Sequence, residues 1–224
     1  KELYIMNQAD MNYYPSYVEE DEIHKINSKI RVKAITAYVF EEFLNNQEKD
    51  FTKREGIVFV GGFGHPPNED AVLWFVEKVL PLIEKEKEIP FYIVGSHPTD
   101  KIKAIKQKNV ILKGFVSEEE LQELYNTCKM VVVPLRYGAG VKGKVVEALY
   151  YGTPMVTTSV GVEGIQGAED IIRVEDKAED FAKAVVTLYA DNAALEKTLD
   201  NYQKFVKSKF SVDAVWDIIK DDFK

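Results

Sequence analysis

The sequence predicts an α/β domain: a doubly wound parallel sheet of about six strands with helices on both faces, preceded by a short segment of different character. Three observations carry this. Between Gly56 and Ile172 short β-branched runs alternate with amphipathic stretches, and regular strand–helix alternation gives a parallel sheet covered by helices. The turns that follow Val60 and Pro134 are rich in glycine, as strand-to-helix turns near a ligand are. The last fifty residues read as helix without an intervening strand.

Taken in order, the chain opens at Lys1 in what reads as a helix, without a methionine, which predicts a piece of a longer protein. Ala9–Ser16 reads as a strand ending in a turn, Val18–Ile26 as an acidic helix and Ile30–Thr36 as a second strand. The polar run Asn45–Arg54 reads as a linker, so residues 1–50 are set apart from a main domain at 51–224. Strands are expected at Ile57–Val60, Phe91–Val94, Val110–Leu112, Met130–Val133, Met155–Thr157 and Ile171–Val174. Helices are expected at Asn68–Lys87, Thr99–Lys106, Ser117–Thr127 and Val145–Tyr151. In the first, Val72, Phe75, Val76, Val79, Leu80 and Ile83 fall on one face. Ser117 with Glu120 forms a capping-box pattern. Three helices close the chain at Lys177–Tyr189, Ala193–Lys207 and Val212–Asp222. The first turns Phe181, Ala184, Val185 and Leu188 inward, and the last carries an apolar stripe of Val212, Val215, Trp216 and Ile219.

The net charge of −8 argues against duplex nucleic acid or an anionic membrane as the main partner, since both require a basic face. Lys49, Lys53 and Arg54 form the only basic cluster outside the second glycine loop, and the acidic residues among them favour a solvated linker. Cys128 is the single cysteine, which excludes an intrachain disulfide and a cysteine-based zinc site, fits a cytoplasmic protein and suits a small buried hydrophobe. His24, His65 and His97 have no metal-ligand spacing. His65 lies in the first glycine loop, within reach of a substrate, whereas His24 and His97 read as surface residues.

The most informative segment is Met130–Pro154. An apolar strand ends at Pro134, a glycine-rich turn carries Arg136, Lys142 and Lys144, and a helix opens around Val145. Cations and free backbone N–H groups therefore meet at a helix N-terminus, which favours a bound phosphate. Gly138-Ala-Gly-Val-Lys-Gly143-Lys144 has P-loop spacing, yet Val145 stands where a P-loop needs a magnesium-binding Ser or Thr. Glu147 in the helix either complements the helix dipole or accepts bonds from vicinal ribose hydroxyls. The first loop, Gly61–Asn68, matches a dinucleotide fingerprint loosely: Pro67 takes the third glycine position, and no acidic residue ends the next strand. It is either a close-approach loop for a ligand or a tight turn without one, and Asn68 is placed to cap the following helix.

These pieces resemble, in order, the C-terminal donor-binding domain of GT-B retaining glycosyltransferases, glycosyltransferase family 4 (glycosyl transferases group 1). The resemblance rests on Phe59–Asn68, Trp74-Phe75 through Val79-Leu-Pro81, Phe91–Gly95, Val110–Val116, and Glu120-Leu121 with Leu124-Tyr125. It rests above all on Met130–Pro154 with Glu147-Ala-Leu149 and Gly152-Thr-Pro-Met-Val156. It runs from Gly56 to the C-terminus, and Ala9–Ser16, Glu19–Ile23 and Ile30–Thr36 resemble the final strand and helix leading out of the N-terminal acceptor domain. The resemblance implies a Rossmann-like sheet, the C-terminal half of a GT-B fold, whose final helix crosses back to that domain. It implies transfer of a sugar from a nucleoside diphosphate sugar to a hydroxyl acceptor, without a metal or other cofactor. It further implies a partner acceptor domain through which the protein touches a membrane peripherally, and a fragment inactive by itself. Its site assignments are Arg136, Lys142, Lys144, Gly62 and Phe63 for the diphosphate, and Gly138, Ala139, Gly140 and Val141 for the sugar. Glu147 falls to the ribose, and Gly114, Phe115 and Val116 to the base. Two departures stand out: Ala139 occupies the place of the family's first Glu, eight positions before Glu147, and the usual Arg and Lys after the first strand are missing.

Overall fold

The computed structural model describes residues 1–44 and 47–223. An N-terminal unit comprises α1 (Glu2–Met6), β1 (Asn12–Tyr14), α2 (Tyr17–Ile26) and β2 (Val32–Ala34). The two strands pair in parallel across the α2 crossover, around a small cluster of Met6, Ile23, Ile30 and Val32. Both strands are three residues long, shorter than the apolar runs suggest.

The expected linker is partly core. Asn45 and Asn46 lie outside the described residues. Phe51 is fully buried in a single 3₁₀ turn, Phe51–Lys53. Arg54, expected to be solvated, is buried instead: its guanidinium stacks 4.4 Å from the Phe51 ring centroid and donates to the Tyr125 carbonyl at 3.2 Å and to the Glu48 carbonyl. Burying a charge is costly unless its donors find acceptors; here the two terminal nitrogens find main-chain carbonyls at Tyr125 and Glu48 while Nε has none among the described residues, which no local pattern reveals.

The main sheet contains β3 (Ile57–Val60), β4 (Phe91–Val94), β5 (Val110–Gly114), β6 (Met130–Val133), β7 (Met155–Thr157) and β8 (Arg173–Val174). Its order is β5-β4-β3-β6-β7-β8, with every pairing parallel. The chain therefore winds outward from β3 to β5, then returns to start β6 on the other side of β3. That reversal between β3 and β6 is the topological switch point, where open sheets of this kind bind ligands at the carboxyl ends of their strands. Central strands β6 and β7 are buried throughout, as strands covered on both faces must be.

The helix expected over Asn68–Lys87 begins earlier, at Pro66. It runs as α3 (Pro66–Trp74), a π turn (Phe75–Val79) and α4 (Leu80–Glu84). Pro81 explains the widened turn, because it lacks an N–H and its ring crowds the carbonyl four residues back. Phe75 packs against Phe91 of the sheet and Phe181 of α9 (Ala178–Ala190), with centroids 4.7 and 6.0 Å away. The short α5 (Asp100–Lys103) is capped by Thr99. The Ser117–Glu120 capping box forms at the head of α6 (Glu118–Thr127). Cys128 is buried, and burial pushes its thiol up to about 12. Beyond α7 (Gly143–Tyr150) and the one-turn α8 (Ser159–Val162) lie α9, α10 (Asn192–Phe210) and α11 (Val212–Ile219). Residues after α11 reach the N-terminal unit: Asp222 pairs with Lys33 at 2.7 Å and accepts from the Tyr13 hydroxyl at 2.9 Å. The stripe on α11 stays largely open, with Val212 and Trp216 exposed.

Candidate functional site

Two loops meet at the switch point. The first follows β3 and enters α3, whose N-cap is His65 and whose first residues are Pro66 and Pro67. Proline suits that position because its missing N–H would be unpaired there. Asn68 is therefore not the cap, contrary to the sequence expectation. It sits inside the first turn, 7% exposed, and its amide faces the neighbouring loops. Nδ2 donates to the Gly62 carbonyl at 2.7 Å, and Oδ1 accepts from Lys144 Nζ.

The second loop follows β6 and turns at Gly138 and Gly140, whose φ values of 120° and 78° favour glycine. It enters α7 with Lys142 at the N-cap position and no side-chain cap. The Val145 N–H turns back to the Lys142 carbonyl at 2.9 Å, so the amides of Gly143 and Lys144 form the open, positive dipole end of the helix. A cavity of about 200 Å³ opens here between the loops, lined by His65, Asn68, Tyr137 and Ala139 together with Lys142 and Lys144.

Lys144 is the most constrained cation of the group. Its ammonium lies 4.5 Å from the centroid of the Phe59 ring and against the Asn68 amide oxygen. Gly61 makes the room: a Cβ there would come within 2.6 Å of Lys144 Nζ and 2.8 Å of Asn68 Cγ. Burial, opposed by Glu147 and reinforced by Lys142, brings the Lys144 amine from 10.5 down to about 7. Lys142, half-buried, is also lowered by burial, and its ammonium reaches back to the Gly140 carbonyl.

The other expected site residues are dispersed. Arg136 lies outside the cavity lining and forms a bidentate pair with Asp70 of α3, its Nε 2.8 Å from Oδ2. The Phe63 side chain is buried and its N–H donates to the Ser96 carbonyl at 2.9 Å, so that amide is not free for a phosphate. The Gly62 carbonyl serves Asn68. Gly138, Ala139 and Val141 line the cavity, whereas Gly140 does not. Glu147 occupies the second turn of α7, outside the first turn where a dipole role would place it. It accepts a 3.1 Å bond from the buried Tyr125 hydroxyl. Burial raises its carboxyl above the usual range, against the lowering effects of Tyr125 and Lys144. Gly114 ends β5 and Phe115 and Val116 follow it, two strands from β3 and outside the cavity lining, with Phe115 81% exposed. His65 lines the cavity, and His24 and His97 are exposed. Sequence reasoning missed the contributions of Asp70 and of the Tyr125 hydroxyl. Asp70 lies two residues beyond Asn68, so both are tied to the early part of α3.

Comparison with known proteins decides the class. The model of the family described as "Glycosyl transferases group 1" matches residues 54–191, more than half of the chain. The chain belongs to this family. A relative in Klebsiella pneumoniae, an "Uncharacterized 44.6 kDa protein in cps region", is 27% identical over 173 residues. The match covers 73% of this chain and 44% of that protein, so the chain spans less than half the relative's length. Among solved structures, S. aureus TarM in a complex containing UDP superimposes with a TM-score of 0.78 at 16% identity, over 99% of this chain and 45% of that one. Anabaena Alr3699/HepE in complex with UDP and glucose gives 0.67 at 13% identity, over 99% and 65%. The six-stranded parallel sheet of this group 1 chain matches the C-terminal Rossmann-like domains of GT-B glycosyltransferases. Among the described residues of this group 1 domain, no helix is long and apolar enough to cross a membrane. No cluster of three or more His, Cys, Asp or Glu among them is arranged to hold a metal.

Proposed function

We propose that the chain is the donor-binding half of a retaining glycosyltransferase of family 4, acting in the cytoplasm. It binds a nucleoside diphosphate sugar whose sugar passes to a hydroxyl acceptor held by a further domain. The observation that carries this reading is the cavity at the switch point, with Lys142, Lys144 and the open N-terminus of α7 around it. As the glycosidic bond breaks, negative charge collects on the departing diphosphate. Fixed cations and N–H dipoles in a partly dry site stabilise that charge more than they stabilise the bound donor, and this lowers the barrier.

In this reading Lys144 and Lys142 bind the diphosphate, and Arg136 joins them by leaving Asp70. Glu147, oriented by Tyr125, accepts the ribose hydroxyls, and the main chain around Gly114–Val116 meets the base. With Ala139 in place of a carboxylate, the sugar is held by the backbone of Gly138–Val141. Lysine and arginine supply the positive charge, so binding is independent of divalent metal. UDP is the favoured nucleotide, because TarM and HepE are described as complexes with it.

Isothermal titration with UDP, GDP, their sugars and magnesium–ATP tests the proposal. The expected result is diphosphate binding in the presence of EDTA that is lost in Lys144→Ala. Magnesium-dependent ATP binding would overturn it, and silence toward every nucleotide would leave a non-catalytic module of the same fold.

A further inference from the structure

Asn68 is a buried polar residue with both ends of its amide engaged, and neither engagement is the helix cap its position suggests. Its orientation is fixed chemically. Nδ2 must face the Gly62 carbonyl and Oδ1 the Lys144 ammonium, because the reverse would set donor against donor and acceptor against acceptor. The amide therefore bridges the two loops, joining the one after β3 to the cation of the one after β6. The groups packed around Lys144 Nζ are this amide from α3, the Phe59 ring from β3 and the Gly61 backbone, with Glu147 and Lys142 acting from α7 and its N-cap. No carboxylate among the described residues lies within ion-pair distance of Lys144, whereas Arg136 is neutralised by Asp70.

Building on the donor-binding reading, we propose that Asn68 is a positioning residue whose neutral amide holds Lys144 in place for the diphosphate while leaving its charge uncompensated. An amide oxygen orients an ammonium through one hydrogen bond and cancels none of its charge. An aspartate at the same place would form an ion pair that an incoming diphosphate must break. It would also keep Lys144 protonated in the empty site, so that binding would no longer draw a proton from solution. With asparagine, the empty site holds an amine with a weakened hold on its proton, and the arriving diphosphate restores that hold. Binding then takes up a fraction of a proton above neutral pH. Gly61 belongs to the same device, since any larger residue would push the ammonium off the amide.

The test uses the full chain and UDP. Titration calorimetry at pH 8 in buffers of different ionisation enthalpy measures affinity and proton uptake together, and NMR titration with uridine measures binding without phosphates. Wild type is expected to take up a proton with UDP. Asn68→Asp is expected to bind UDP at least tenfold more weakly, with no uptake and unchanged uridine binding. Asn68→Ser, neutral and smaller, is expected to fall between the two, and it serves if the aspartate variant does not fold. Equal loss of UDP and uridine would reduce Asn68 to a structural residue and overturn the inference. So would undiminished UDP affinity in Asn68→Asp, weaker UDP binding by Asn68→Ser than by Asn68→Asp, or the absence of uptake by wild type. Failure of wild type to bind UDP at all would sink the donor-site reading itself, a distinguishable result.

Discussion

Replacing Lys144 with methionine should stabilise the free protein while removing its capacity for a diphosphate. The structure supplies the magnitude. Burial lowers the Lys144 amine from 10.5 to about 7, and each tenfold loss of proton affinity corresponds to about 1.4 kcal/mol between protonation states. At pH 7.5 the unfolded chain holds this proton almost fully and the folded chain holds it in the minority. Folding the residue therefore costs on the order of 4 kcal/mol. Methionine has similar length, stays apolar over the Phe59 ring and escapes that cost. It leaves the Asn68 amide oxygen without its donor, which returns about 2 kcal/mol of the gain. The net expectation is about 2 kcal/mol of added stability, or roughly 4–8 °C in Tm for a chain of this size.

The sign of the pH dependence provides a second check. Lys144 has a depressed value when folded, so between pH 7 and 10 the unfolded state binds more protons and stability rises with pH. The wild type should gain on the methionine variant by about 1.4 kcal/mol per pH unit across that window, and the penalty should be complete below pH 7. Chemical denaturation of both proteins at pH 7 and 9 measures this. A variant less stable than wild type at pH 7, or two parallel pH profiles, would refute the view that Lys144 is a strained cation kept for its ligand.

Tyr125→Phe removes the bond to Glu147 while keeping the stacked ring, 4.8 Å from Tyr151; UDP affinity should fall about tenfold, a change near 1.4 kcal/mol. Titration of 2′-deoxy-UDP should show no such change, and equal losses for both nucleotides would remove Glu147 from the ribose. Gly61→Ala places a methyl 2.6 Å from Lys144 Nζ and 2.8 Å from Asn68 Cγ, so UDP binding by calorimetry should weaken several-fold and Tm should fall with it, because the buried Asn68 amide is held at both ends. Asp70→Asn breaks an ion pair with half-exposed Arg136 and should cost under about 1 kcal/mol in urea denaturation, while UDP binds as tightly or more so. Phe75→Ala, by contrast, opens a hole between Phe91 and Phe181 and should cost about 3–5 kcal/mol by the same denaturation measurement.

The sheet was legible because its information is local. Five of the six strands are built on a short apolar run bounded by turn residues, whereas β8 keeps only Arg173-Val174 of the expected Ile171–Val174; the Ser117–Glu120 cap is written in four consecutive positions. Where the reading failed, the deciding partner lay far along the chain. Arg54 looks like a solvated linker cation until the Tyr125 carbonyl, 71 residues away, accepts a hydrogen bond from it. Asn68 looks like a cap because it precedes an apolar helix, yet the two prolines before it already start that helix. The candidate site divides the same way. The cation-bearing glycine loop announces itself by composition, whereas the fate of each cation depends on what faces it across the sheet.

That division gives two of the cations different roles. Arg136 and Lys144 lie on the same loop-to-helix segment and both reach α3, but one meets Asp70 and the other meets Asn68 two residues earlier. The first contact neutralises its cation in a half-exposed, inexpensive pair. The second leaves its cation buried and poorly compensated, so that the cost of holding it falls on the folded state. An arrangement kept only for stability would place the carboxylate at the buried position and the amide at the exposed one. Here they are the other way round, which is the order expected if the missing negative charge arrives with a ligand.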